Sequence, residues 1–377
     1  VTVSTGTESR GTETLPPSPA IGAEEREALV DAVRDLLRRR GDSTAVRAAM
    51  SAPGRIDSGL WQTLCTEIGV AALAIPERFG GAGASWVESA AVLEELGAAL
   101  SPVPAFGSAL ATGTILIAAD DDASSRLLPA LAAGERTAAL CWADERGWQT
   151  PGVRADAGLL SGTAHFVVDG ESADLFLVLA AGPGTHVTLH EVPADAEGVS
   201  VSPMPVLDPT RALSSVRFDE VASSAIPAPD DLAPRLRALA WALLSAEQVG
   251  GAQRALDLTV DYTKSRKQFG RTIGSFQALK HRMADMYVSV ETARSIARAA
   301  VAAIAAGDPD AAELALAAHV YCSDVCRRVA GEAIQLHGGI GITWEHDIQL
   351  YFKRAQGTSQ MFGAPHTAVA ELARSLH

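Results

Sequence analysis

The sequence predicts an α+β multidomain chain: a helical N-terminal part, an antiparallel β centre and a C-terminal helical bundle. Three observations carry this. Apolar residues recur at a helical period as far as about residue 133. From there to about residue 229, short apolar runs parted by Gly, Pro, Asp and Ser take their place. Long helical periods, two of them rich in alanine, then return to the end. With 377 residues, 47% hydrophobic and 20% charged, the chain can bury more than one core.

The elements follow in order. Residues 1–22 read as a flexible polar tail with Pro16, Pro17 and Pro19. Residues 23–135 form the first helical domain. Glu24 to Arg40 places Leu29, Val33, Leu36 and Leu37 on one face. Asp57 to Gly69 and Ser85 to Leu100 are further helices, the second with Ser85 as N-cap and Glu88 three residues on. The glycine-rich stretch from Pro76 to Gly83 between them is a loop. Residues 136–229 form the β domain, with strands expected at Thr137–Trp142, Ala164–Val168, Leu175–Leu179, His186–His190 and Ser214–Phe218, and a turn at Asp208-Pro209. Residues 230–377 return to helix at Arg235–Ser265, Ser275–Ala305 and Asp310–Leu336, lengths that suit a bundle or a subunit contact.

Composition narrows the function. A net charge of −14 argues against nucleic acid and against an anionic membrane surface, both of which need a concentrated positive field. Four cysteines, Cys65, Cys141, Cys322 and Cys326, are too few for a disulfide scaffold and point to a reducing compartment. No apolar run is long enough to span a bilayer, and the N-terminus lacks the apolar core of a signal peptide. A cytoplasmic enzyme is expected.

Two stretches carry more. One runs from Tyr262 through Arg266, Gln268, Phe269, Gly270 and Gly274 to Gln277, then His281 to Asp285. The other runs from Ala333 through Gln335, His337, Gly338, Gly339 and Gly341 to Glu345. With the domain order, they closely resemble the acyl-CoA dehydrogenase family over residues 23–377. The resemblance implies a helical domain, a β domain and a four-helix bundle. It implies FAD between β domain and bundle, with the adenine half held by a neighbouring subunit. Arg266 offers a fork of donors to a pyrophosphate, Phe269 an aromatic face, and Gln335 both donor and acceptor. Gly338 and Gly339 let backbone N–H groups approach an anion. Gln268 and His337 complete the expected cofactor contacts. Taken singly, either stretch reads as readily as an arginine paired with a surface carboxylate or as glycines that end a helix.

The implied chemistry is α,β-dehydrogenation of an acyl-CoA thioester, in which a carboxylate takes the Cα proton and flavin takes the hydride. Two features depart from the family pattern. Phe166 and Val168 stand where a Trp and a Thr flank the flavin, and the loop from Cys141 to Gly147 lacks its usual hydroxyl. The position of the usual catalytic glutamate falls on Phe362, and that of a second family solution on Ala240. Neither can take a proton.

The nearest carboxylate on the same helix is Glu247, seven residues from Ala240 and on the same face. It reads either as a relocated base or as a glutamate with a basic partner. Three functions therefore stand open: the base-lacking subunit of a hetero-oligomer, an active homo-oligomer using Glu247, or a silent acyl-CoA- or partner-binding scaffold. The enzyme readings expect dimers or a dimer of dimers, and an electron-transfer acceptor. His319, Cys322 and Cys326 share a helix face, but two buried cysteines are ordinary packing, so no metal is expected.

Overall fold

The computed structural model describes residues 21–375 except 183 and 185, so the expected tail lies almost wholly outside the described residues. The first helices are α1 (Ala23–Arg40), α2 (Ser43–Ala49), α3 (Ser58–Thr63), α4 (Trp86–Ala98), α5 (Ala105–Ala118) and α6 (Asp121–Ala132). α3 is shorter than its periodicity implies. It widens into a π-helical turn over Leu64–Ile68, which Gly69 closes in the left-handed region at φ 79°. At the start of α4 the Ser85 hydroxyl accepts from Val87 N–H, while the Glu88 carboxylate accepts from Ser85 N–H at 2.9 Å and from Arg26 at 3.0 Å. The cap thus also ties α1 to α4.

The strands follow as β1 (Ala138–Cys141), β2 (Ala143–Asp144), β3 (Gly147–Pro151), β4 (Val153–Asp156), β5 (Leu159–Val168), β6 (Leu175–Ala181), β7 (Val187–Pro193), β8 (Val199–Pro203), β9 (Leu213–Ala222) and β10 (Ser224–Ile226). The sheet is mixed rather than wholly antiparallel. β1 and β4 both run parallel to β6, with Ala138 opposite Leu175 and Val153 opposite Ala180, while β5 pairs β9 and β6 pairs β7 antiparallel. β6 explains this. Its run from Leu175 to Ala180 is buried throughout, so it behaves as a covered central strand instead of alternating.

The C-terminal part begins with α7 (Leu232–Ser265), then a hairpin of β11 (Lys267–Gln268) and β12 (Arg271–Thr272). It continues with α8 (Gln277–Ala306), α9 (Ala311–His337), α10 (Ile348–Thr358) and α11 (Pro365–Ser375). α7 is the axis of the molecule. From Ala238 to Ala252 every residue is buried, because α4 and α5 cover one side and α8, α9 and α10 the other. α4 crosses it backbone to backbone: a Cβ on Gly250 would lie 1.8 Å from the Glu94 carbonyl, and one on Gly97 2.2 Å from that of Glu247. No helix among the described residues is long and apolar enough to cross a membrane.

Candidate functional site

α7 and α9 both end at the same pole of the bundle, and the two sequence stretches meet there. Tyr262 stacks on His337 with ring centroids 4.5 Å apart, and His346 lies 4.5 Å beyond His337. One turn past Tyr262, Arg266 ends α7 and opens the β11–β12 hairpin. Its N–H donates to Tyr262 O and its carbonyl accepts from Ile273 N–H. Arg266, Gln268, Gln335, Gly338 and Gly339 are exposed, and Phe269, at φ 53°, is 91% exposed. A Cβ on Gly338 or Gly339 would meet nothing within 4 Å, so backbone is presented to solvent on an open shelf.

His337 stands apart from this group, buried at 3% exposure. Its Nδ1 donates to Ala333 O at 2.7 Å, which leaves Nε2 as a buried acceptor without a partner among the described residues. Burial and the neighbouring His346 hold this imidazole below its ordinary pKa, against the pull of the Ala333 carbonyl, so it is neutral.

The second place lies far from this pole. From Trp241 to Tyr262 the helix rises about 31 Å. Beside Trp241, Phe362 is buried in an aromatic cluster, with Trp148 at 5.3 Å, Phe106 at 6.0 Å and Trp142 at 6.4 Å. The cluster draws on all three parts of the chain: Phe106 on α5, Trp142 and Trp148 around β2 and β3, and Phe362 after α10. Trp148 also packs on Phe166 at 5.1 Å. Phe166 is left-handed at φ 55°, where the β5·β9 register breaks, and its N–H goes to the Met204 sulfur.

Phe362 is itself held firmly. Trp241 Nε1 donates to its carbonyl at 3.1 Å, and His319 Nε2 donates to the carbonyl of Gly363 at 2.7 Å. His319 is therefore engaged with backbone, and among the described residues no three His, Cys, Asp or Glu are grouped to hold a metal.

Glu247 faces the junction of β domain and bundle, and it is not free. Arg211 Nη2 reaches its carboxylate at 2.5 Å and Arg354 Nη1 at 2.7 Å. Arg354 also bonds Asp208 at 2.5 Å through Nε, and the Thr210 carbonyl at 2.9 Å and hydroxyl at 2.7 Å through Nη2. Burial pushes the Glu247 carboxyl up, but the two guanidinium groups outweigh it and hold it below its usual range. Ala240, seven residues earlier, is fully buried and has no polar atom to offer. Asp208, Thr210, Arg211 and Arg354 were missed from sequence. The only signal was the Asp208-Pro209 turn, and nothing in the sequence says that this turn folds onto an arginine of the last bundle helices.

The N-terminal domain model of acyl-CoA dehydrogenase matches residues 23–135 and the C-terminal domain model residues 240–377. Acyl-CoA dehydrogenase IpdE2 of Mycolicibacterium smegmatis is 40% identical over 350 residues, covering 93% of this chain and 98% of the relative. Among solved structures, a variant of the Tcur3481–Tcur3483 steroid acyl-CoA dehydrogenase superposes with a TM-score of 0.87 at 30% identity, covering 94% of this chain and 98% of that one. The ChsE4–ChsE5 complex of Mycobacterium tuberculosis superposes at 0.86 with 26% identity and the same coverages. The chain belongs to the acyl-CoA dehydrogenase family.

FAD is the cofactor of this family, and the two places on the chain fit it unequally. The open backbone at Gly338 and Gly339 with the exposed Arg266 suits an anionic pyrophosphate. The flavin ring does not fit beside Phe166 as the chain stands. Trp148 fills the space between Phe166 and Phe362, and the Phe166 N–H already has an acceptor.

Proposed function

We propose that this chain is the base-lacking subunit of a hetero-oligomeric, cytoplasmic acyl-CoA dehydrogenase. Its exposed bundle end, with Arg266, Gln268, Phe269, Gln335, Gly338 and Gly339 around the buried His337, holds the adenine half of an FAD whose ring lies in a different subunit. The observation that carries the reading is Phe362: where the family motif assigns the proton-accepting carboxylate, an aromatic ring is buried against Phe106, Trp142 and Trp148.

FAD, when bound, supplies the hydride acceptor for α,β-dehydrogenation of an acyl-CoA. This chain contributes position rather than proton transfer. Arg266 orients the pyrophosphate by a charge-assisted bond, and the shelf at Gly338 and Gly339 offers N–H groups. A general base must lie within hydrogen-bond reach of the Cα proton, and a positioned base contributes ~10²–10⁴-fold. Ala240 and Phe362 cannot serve, and Glu247 is held by Arg211 and Arg354, so the partner supplies the base. The two-chain relatives support this arrangement. The steroid enzyme among them supports a steroid-derived acyl group as substrate class, and a separate electron acceptor reoxidises the flavin.

The test is purification of the chain alone and together with the polypeptide encoded beside it. Alone it should retain little flavin and turn over no simple acyl-CoA. Together the two should be yellow and active. Efficient turnover by the homo-oligomer overturns the proposal, and loss of that turnover in Glu247→Gln would then install Glu247 as the base. A complex that binds acyl-CoA but stays colourless and inactive would leave the silent-scaffold reading.

A further inference from the structure

The charges around Glu247 can be counted. Arg211 and Arg354 bring two positive charges, Asp208 and Glu247 two negative ones, and direct bonds join the four. The quartet is neutral. A fifth ionisable group, Asp169, lies against it. Its backbone N–H donates to the carbonyl of Ala212, the residue after Arg211, at 3.1 Å. Its carboxylate meets the first turn of α5, so closely that a Cβ on Gly107 would sit 2.9 Å from Oδ2. Asp169 is 8% exposed, and no cation lies within ion-pair distance of it among the described residues.

These residues come from the β domain and the bundle, and one of them reaches the N-terminal helices. Asp169 follows β5 and touches α5. Asp208 and Arg211 lie between β8 and β9, Glu247 on α7 and Arg354 on α10. We infer that the five form a buried lock fastening the β domain to α5 and to the bundle. In it Asp169 is a reserve carboxylate: surplus while Glu247 is charged, and the counter-ion of Arg211 and Arg354 when Glu247 is not. The lock gives Glu247 a structural role, goes beyond the subunit reading and does not rest on it.

Asp169 behaves as a surplus acid should. Burial pushes its carboxyl up to about 6; Arg211 and Arg354 pull it down, and Glu247 pushes it up again. The charged groups facing it are Arg211, Glu247 and Arg354, with Asp208 beyond Arg354, and the Gly107 N–H points at it from α5. The folded-state value lies above that of an unfolded aspartate, so the folded chain binds the extra proton between the two. Stability from this group is therefore lost as pH rises through that window, and the full penalty is present above it.

The experiment is thermal unfolding of the full purified chain from pH 4 to pH 8 in wild type, Asp169→Asn, Glu247→Gln and the double variant. Asp169→Asn should raise Tm at pH 8 and leave it unchanged near pH 4. In the Glu247→Gln background the sign should reverse, with Asp169→Asn lowering Tm at pH 8, because it then removes a needed charge. An equal effect of Asp169→Asn in both backgrounds would sink the inference. If Glu247→Gln does not fold, the wild-type comparison decides alone: a difference between Asp169→Asn and wild type that stays flat across the pH range overturns the lock.

Discussion

Phe362 shows how neighbours hold a single residue in a costly conformation. Its backbone is left-handed at φ 59°, a conformation that costs a non-glycine residue of order 1–3 kcal/mol unless the surroundings enforce it. Two buried donors enforce it, Trp241 on the Phe362 carbonyl and His319 on that of Gly363. Trp241→Phe keeps most of the apolar volume but leaves the carbonyl unpaired. It should cost about 1–3 kcal/mol in urea unfolding, with the m-value unchanged. An unchanged midpoint would mean that the turn does not depend on this bond. The absence of a carboxylate at 240 and 362 is readable from sequence, because it needs only register against a motif. The engagement of Glu247 is not, because its partners Arg211 and Arg354 are remote in sequence and converge on it only once three elements have packed.

At the scale of elements, the long helices and the strands β1, β5, β6, β7 and β9 were legible, while the short helices and the strands β2, β3, β4, β8 and β10 were not. The long periods of α7, α8 and α9 and the capping box of α4 depend on local spacing, and local spacing is what a sequence displays. The parallel neighbours of β6 were not legible, since an apolar run states burial but not direction. Nor was the α4–α7 crossing, because two adjacent glycines look alike on paper. In the fold they differ. A Cβ on Gly250 would lie 1.8 Å from the Glu94 carbonyl, whereas one on Gly251 finds its nearest contact at 3.7 Å. Gly250→Ala must push two backbones apart, and by overpacking should destabilise by about 1–3 kcal/mol or more. Gly251→Ala finds room and gains helix propensity, about 0.8–1 kcal/mol. Chemical denaturation of the two single variants should move the midpoint in opposite directions. Shifts of the same sign would mean that the crossing is looser than its geometry.

At the scale of the whole molecule, the two candidate places lie at different heights on one axis, and this separates the expected effects of mutating them. Arg266 is exposed at the end of α7, with no ion pair among the described residues, so its loss removes nothing from the core. Surface substitutions of that kind stay within about 0.5 kcal/mol of wild type. In the proposed cofactor role, its charge-assisted bond to a pyrophosphate would contribute roughly 1.5–3 kcal/mol to flavin binding, about 10- to 150-fold in affinity. Phe362 has the opposite profile. It is buried among three aromatic rings, and truncating a packed phenylalanine typically costs about 3–5 kcal/mol, while no flavin ring fits beside it. In the proposed two-chain complex, Arg266→Ala should therefore lower the flavin-to-protein absorbance ratio and leave the unfolding midpoint of the isolated chain in place. Phe362→Ala should lower that midpoint and leave flavin retention in surviving complex unchanged. If flavin were instead bound by this chain's own cleft, the pattern would invert at Phe362. The alanine would open space beside Phe166 and Trp148, and flavin content would rise as stability fell.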